Sequence, residues 1–395
     1  MNSKETFLNH QGQTNPYPYL IDVDRAEGIY IFDKSGKRYM DMISGVAVSN
    51  IGHNHPTVVD AIKAQVDRHL HVMVYGEYIQ DAQVNFAKRL ADLLPESLDC
   101  VYTVNSGTEA NEAALKLAKR VTGKTELVSF RGSYHGSTHG SMSVSGNETK
   151  KQAFRPLLPD VRFITFNSIN DLQQITTKTA GVIIETIQGD AGVRIPNQDF
   201  LKALRERCTD VGALLIFDEI QCGIGRSGSL FAFEQFNVVP DILTLGKALG
   251  GGMPIGALVS SKENLEAFTF NPMLGHITTF GGHPVICAAA DACLEVMSCE
   301  IDYTKVERNG KLLVDLLNDI EEIIEIRRIG MLYAFDMESF ERVEKVVKKC
   351  LEKGLISFWF LSHPYSFRLS PPLTITEDEM RAAAAIIRSA ILETR

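Results

Sequence analysis

The chain has 395 residues, 45% of them apolar and 23% charged, so it is long enough for two or three domains and can bury large cores. Its 40 Lys and Arg against 49 Asp and Glu give a net charge of −9, which argues against a phosphate backbone as the main partner. The seven cysteines are scattered and never spaced as C-x-x-C, the start Met1-Asn2-Ser3-Lys4-Glu5 is polar, and no apolar run approaches ~18–20 residues; together these predict a cytoplasmic protein with no disulfide framework, secretion signal or membrane span.

In chain order, residues 28–41 alternate apolar and polar side chains around Lys34-Ser35-Gly36 and predict a β-hairpin. Short apolar runs at 100–105, 126–130, 161–166, 181–186, 213–218, 241–245 and 256–259 are predicted strands, with amphipathic helical stretches such as 109–120 and 199–211 between several of them. Strands alternating with helices are the βαβ pattern of a mainly parallel sheet, so the fold class is α/β. Helices are predicted over 285–297 and 305–322, a strand-like stretch over 324–337, a helix over 341–353 and a closing helix from 377 to about 392. The expected organisation is a large α/β domain over 49–284 and a smaller α+β domain built from both chain ends, 1–48 and 285–395.

Three places carry residue types suited to chemistry. At Asn105-Ser106-Gly107-Thr108-Glu109 a strand meets an Ala-rich helix, whose free N–H groups and dipole favour an anion; an ordinary N-cap would use the same residues. Asp218-Glu219-Ile220-Gln221 puts acids at the carboxyl end of an apolar strand, where open α/β sheets bind ligands, although a surface acid or cap would read the same way. Lys247 follows a strand and precedes Gly250-Gly251-Gly252, a setting in which a desolvated amine can form a Schiff base; most lysines are simply solvated. A phosphate cradle, an imine-forming lysine and an acid that keeps a ring nitrogen protonated are the three requirements of pyridoxal phosphate. The conjunction is far more specific than any one member.

Two other patterns compete. Gly223-Ile224-Gly225-Arg226-Ser227-Gly228 fits the G-x-G-x-x-G dinucleotide fingerprint and would make the protein a nicotinamide oxidoreductase. Its context disagrees: Asp218 to Gln221 separate it from the strand, no clear helix follows, and Asp241 comes too early for the ribose acid. His53-Asn54-His55, His69-Leu70-His71 and the pair His135 and His139 lack a third ligand at metal spacing.

These residues resemble the class III, fold-type I aminotransferases, the family of ornithine, acetylornithine, 4-aminobutyrate and diaminopelargonate-forming enzymes. The resemblance runs nearly end to end, through residues 28–33 with Gly36, Gly52-His53-Asn54-His55-Pro56, residues 106–112, Tyr134-His135-Gly136, residues 218–221, residues 225–228, and Pro240-Asp241 through Lys247 to Gly256. It implies that Lys247 carries the internal aldimine and that Asp218 pairs with the pyridinium nitrogen. Ser106, Gly107 and Thr108 would cradle the phosphate, Tyr134 would stack on one ring face and Ile220 on the other, and Gln221 would approach the phenolic oxygen. His135 and Glu185 fall among the cofactor contacts. Thr279 resembles the threonine that reaches the phosphate from a partner subunit, which implies a homodimer. Arg368 resembles the arginine that clamps a substrate α-carboxylate bidentately, with Asp190, Ser137 and Val46 around the substrate.

Three positions depart from the family pattern. Ser137 stands where ornithine, acetylornithine and 4-aminobutyrate enzymes carry an arginine, Asp190 replaces a glutamate one methylene longer, and His283 stands where asparagine is common. The expected activity is ping-pong transfer of an amino group from an ornithine-, N-acetylornithine- or 4-aminobutyrate-type donor to a 2-oxo acid such as 2-oxoglutarate. The alternatives are an ω-amine:pyruvate or diaminopelargonate-type transaminase, and a racemase, mutase or decarboxylase using the same cofactor.

Overall fold

The computed structural model describes residues 3–395; Met1 and Asn2, the first residues of the polar start, lie outside them. All seven predicted strands of the α/β region are present, each within about two residues of its expected ends, and they form one sheet. The order across it is Cys100–Val104, Gly256–Ser260, Ile242–Gly246, Leu214–Asp218, Thr179–Glu185, Glu126–Phe130 and Val161–Ile164. Gly256–Ser260 runs antiparallel to both neighbours and the other strands run parallel to one another, as a mainly parallel sheet requires. Thr179–Glu185 and Ile242–Gly246 are buried along their whole length, which explains why they read as continuous apolar runs rather than alternating ones.

The helix Gly107–Thr122 lies on this sheet through Ala110, Ala113, Ala114 and Ala118, small residues that permit close approach: a methyl at Gly181 would sit 2.8 Å from Ala118 Cβ. Gly123, at φ 68°, closes the helix with a left-handed cap. The helices Pro56–Arg68 and Asp81–Asp92 pack against Pro284–Cys299. His283 caps this last helix, its Nδ1 accepting the Val285 N–H at 3.3 Å, which is the role asparagine would fill there. His283→Asn is therefore expected to keep the melting temperature of the protein, whereas His283→Ala costs about 1 kcal/mol in a thermal or denaturant melt.

Both chain ends contribute to smaller sheets. The predicted hairpin is the centre of a four-stranded sheet, Val23–Glu27, Tyr30–Asp33, Arg38–Asp41 and Leu355–Ile356, in which Leu355 and Ile356 pair parallel with Met40 and Asp41. The strand-like stretch 324–337 folds as an antiparallel hairpin, Glu325–Ile329 with Leu332–Asp336, which joins Ser366–Leu369 and Phe358–Trp359. It turns at Gly330, φ 53°, where a methyl would lie 2.3 Å from the Ser227 carbonyl carbon, so only glycine fits. The helix expected over 305–322 ends at Leu317, because the chain turns to bury Ile320 and to pair Asp319 with Arg388. No helix among the described residues is long and apolar enough to cross a membrane.

Candidate active site

The parallel strands deliver chemistry to their carboxyl ends. In the pairing register Glu185, Asp218 and Thr244 form one row across three adjacent strands, and Lys247 follows immediately after Gly246. Asp218 is 4% exposed and fully engaged: Oδ2 accepts from Asn111 Nδ2 at 2.8 Å and lies 2.8 Å from His135 Nδ1, while Oδ1 accepts the Ile220 N–H at 3.0 Å. Asn111 also donates to the His135 carbonyl at 2.7 Å and accepts from the Thr244 hydroxyl at 2.8 Å, so one amide ties helix, loop and two strands to the acid.

Lys247 sits at φ 46°, and its ammonium makes no hydrogen bond among the described residues. Burial pulls it below the ordinary lysine range; Asp218 opposes that shift and Arg368 adds to it. Burial, then Asp218, pushes the Glu185 carboxyl well above the usual range, against the Tyr134 and Gly189 N–H groups it accepts at 2.9 and 3.1 Å. At the start of the Gly107–Thr122 helix, Ser106 Oγ accepts the Glu109 N–H at 3.3 Å, and the Gly107 and Thr108 N–H groups donate to no described residue. Two free donors at a helix N-terminus suit an anion. Ile220 presses on this point: a methyl at Gly107 would lie 2.7 Å from its Cγ2.

Arg368, on the Ser366–Leu369 strand, is 5% exposed; its side chain makes no hydrogen bond to any described residue, and its buried Nε has no partner. Its nearest carboxylate, Asp190, is 3.9 Å away and is itself held by the Leu361 N–H and the Ser362 hydroxyl at 3.2 and 2.9 Å. The ring centres of Phe358 and Phe360 lie 5.6 and 5.7 Å from the guanidinium carbon.

The sequence profile of the family described as aminotransferase class-III matches residues 12–391. The chain belongs to the class III aminotransferases. It is 39% identical over 368 residues to an acetylornithine aminotransferase of Methanopyrus kandleri, covering 93% of each chain. Among solved structures, it superposes on an ornithine aminotransferase from Toxoplasma gondii with a TM-score of 0.92 at 29% identity, covering 99% of this chain and 93% of that one. It likewise superposes on an (S)-enantioselective ω-transaminase from Thermomicrobium roseum, with a TM-score of 0.92 at 26% identity and coverage of 99% and 98%.

The cofactor of this aminotransferase is pyridoxal phosphate, and the residues present fit it. An unbonded lysine amine, a buried acid fixed on three sides, free N–H groups at a helix start and an apolar side chain above them are the parts such a cofactor needs. Of the residues singled out in the sequence, Ser106, Gly107, Thr108, Tyr134, His135, Glu185, Asp218, Ile220, Gln221 and Lys247 all lie at the carboxyl ends of the sheet or in the loops leaving them. Thr108 already shares its hydroxyl with Ser141 at 2.6 Å and Thr138 at 2.8 Å, which leaves its N–H as the free donor. Tyr134 is 39% exposed and its hydroxyl lies 3.2 Å from Ser137 Oγ. Gln221 Oε1 lies against Gly189, where a methyl would overlap it. Thr279 is exposed.

Two residues that hold Asp218, Asn111 and Thr244, were given no role by sequence reasoning. Their signal was present: each is a fully buried polar residue inside an apolar pattern, Asn111 among helix alanines and Thr244 inside Ile242–Gly246. The paired acids separate. Glu219 turns away to accept the Ala232 and Phe233 N–H groups, both at 2.7 Å, and burial pushes its carboxyl up to about 7. The glycines of residues 223–228 are explained by packing: a methyl at Gly225 would lie 2.3 Å from Met297 Cε and 2.7 Å from Leu373 Cδ1. Arg226, fully buried between them, donates to Met331 and Pro371 carbonyls at 3.0 and 2.5 Å and to Asn50 Oδ1.

Proposed function

We propose that the enzyme moves an amino group from a small amino-acid donor of the acetylornithine or ornithine type to a 2-oxo acid, 2-oxoglutarate in the first instance, by ping-pong half-reactions. The observation that carries this reading is Arg368, a buried guanidinium with no hydrogen bond and an unpartnered Nε. Desolvated donors are costly until an acceptor completes them, and every α-amino acid and 2-oxo acid brings a carboxylate that fits the fork. Pyridoxal phosphate, when bound, supplies the electron sink for charge at the substrate α-carbon. Lys247 would hold it covalently and, displaced by the donor, take the α-proton; burial favours the neutral amine this needs. Asp218 would keep the proton on the ring nitrogen. The Gly107 and Thr108 N–H groups with Ser106 would hold the phosphate, and Tyr134, Ile220, Gln221, His135 and Glu185 would frame the ring.

Ser137 favours a second reading, an ω-amine:pyruvate or diaminopelargonate-type enzyme. It offers a neutral hydroxyl beside Tyr134 where a second guanidinium would recognise the distal carboxylate of 2-oxoglutarate. Initial rates with ornithine, N-acetylornithine, 4-aminobutyrate, lysine and alanine against 2-oxoglutarate and pyruvate decide between them. A stoichiometric keto-acid co-product is expected; its absence would leave a racemase, mutase or decarboxylase. Ser137→Arg should shift the acceptor ratio toward 2-oxoglutarate by about tenfold, the value of one charge-assisted pair, and an unchanged ratio rejects a role for Ser137.

The working unit is proposed to be a cytoplasmic homodimer in which Thr279 completes the phosphate site of the partner. Exposed apolar residues support this: Leu70, Met73, Tyr78 and Ile79 on one stretch, Met273 and Phe280 on the stretch around Thr279. Residues 49–284 would act as the cofactor-bearing domain and residues 1–48 with 285–395 as the second. A monomer by light scattering at micromolar concentration would contradict the shared site.

A further inference from the structure

Ser44–Ala47 is a left-handed helical turn. Ser44, Gly45, Val46 and Ala47 have φ of 48°, 56°, 69° and 61°, and the turn closes through Ala47 N–H to the Ile43 carbonyl at 2.9 Å and Val48 N–H to the Ser44 carbonyl at 2.8 Å. Of the four, only the glycine adopts this region without a steric penalty, and the β-branched Val46 is the least suited to it. Such backbone persists only where its surroundings over-determine it.

Two clamps do so. Asp41 Oδ1 accepts both the Ile43 N–H at 3.0 Å and the Ser44 N–H at 2.9 Å, while its Oδ2 lies 2.9 Å from His53 Nε2. His53 is anchored in turn by a reciprocal backbone pair with Gly28, at 2.7 and 3.1 Å. On the other side Ser370 donates its N–H to the Met42 carbonyl at 2.7 Å and its hydroxyl to the Ile43 carbonyl at 3.0 Å, and its own carbonyl accepts the Ser44 hydroxyl at 2.7 Å. Ser370 is two residues beyond Arg368. The strained turn and the guanidinium are thus joined by three hydrogen bonds through one residue, and Asp41 and Ser370 are both buried.

We infer that Asp41, His53 and Ser370 are positioning residues that hold the left-handed turn Ser44–Ala47 in register with Arg368, so that the wall carrying Val46 and the carboxylate clamp form one rigid substrate pocket. The inference rests on the proposed role of Arg368 and on the place beside the substrate that the family resemblance implies for Val46. Asp41 and His53 act through the turn and Ser370 through both sides; none of them is assigned contact with substrate or cofactor.

The test uses the full-length, cofactor-loaded enzyme, with hydrogen exchange of amides in residues 42–49, cofactor content, and KM and kcat for the amino donor as readouts. In Asp41→Ala, exchange and donor KM are each expected to rise about tenfold or more with cofactor content unchanged and kcat little altered, the signature of a lost binding geometry. Asp41→Asn, which keeps the Oδ1 acceptor, should stay near wild type. Ala47→Gly in the Asp41→Ala background should restore protection and KM, because glycine adopts the turn unaided. Ser370→Ala removes only the hydroxyl bond to Ile43 and should show the same pattern at smaller size; it decides the matter if Asp41→Ala fails to fold. Unchanged exchange would overturn the clamp, and raised exchange with unchanged KM would overturn the coupling to substrate. If Arg368→Lys leaves donor KM unchanged while Asp41→Ala raises it, the placement of Arg368 is wrong and the clamp stands.

Discussion

Asp218→Asn should lower the rate of transamination by about 10²–10⁴-fold, the range associated with losing a positioned proton partner, while the protein still folds and still takes up cofactor. The substitution preserves shape, and Asn111 with Thr244 would continue to brace the site. What changes is the sign of one atom. An amide has one acceptor oxygen: placed on the Ile220 N–H it turns its NH₂ toward Asn111 Nδ2 and His135, placed on Asn111 it turns its NH₂ toward the Ile220 N–H, and in neither pose does it carry the negative charge that holds a proton on the ring nitrogen. Stopped-flow measurement of the half-reaction with a good donor isolates the effect from acceptor binding. A loss below about fivefold would mean that the acid only packs the site, since even a modest general acid–base contribution exceeds that.

The second large effect is on stability. Arg226→Ala should destabilise the protein by about 3–5 kcal/mol, because the Met331 and Pro371 carbonyls and Asn50 Oδ1 are left buried without a donor, at about 1–3 kcal/mol each. At ~2.1 cal/mol/K of unfolding entropy per residue, this corresponds to roughly 4–6 °C in Tm. Arg226→Lys should recover only part of the loss, since an ammonium cannot span three acceptors on two sides of a planar fork. Differential scanning calorimetry of the three proteins tests this; a shift under about 1 °C for Arg226→Ala would show that water or a neighbouring side chain replaces the fork. The same residue explains why a dinucleotide-like glycine pattern occurs here. Gly225 leaves room for the Met297 and Leu373 side chains, and Gly330 lets its turn lie against the backbone of residues 226–228, so the glycines pack the chain around one buried guanidinium with no ligand required.

Much of this is legible in the amino-acid sequence alone. The strands of the central sheet are short, apolar and separated by amphipathic helices, and Ser106, Asp218 and Lys247 stand where those strands end, so both fold and chemistry follow from local pattern. Other features depend on partners hundreds of residues away. Nothing in Ser44-Gly45-Val46-Ala47 signals a left-handed turn, because the residues that impose it are Asp41 from the adjoining strand and Ser370 from the far end of the chain. The helix expected to reach residue 322 stops at Leu317 for the sake of Ile320 burial and Arg388, which periodicity cannot register. Glu219 reads as a twin of Asp218 until the strand's pleat turns it to the opposite side. Thr279 is exposed on its own chain, and the role proposed for it depends on a second copy.

The claim on which the rest depends is that Lys247 is the residue that holds pyridoxal phosphate. Borohydride reduction of the cofactor-loaded enzyme followed by peptide mass analysis tests it most directly. The added cofactor mass should be fixed on the peptide containing Lys247, and Lys247→Ala should retain none after reduction. Label on another lysine, or a wild-type protein that binds no cofactor, would contradict it.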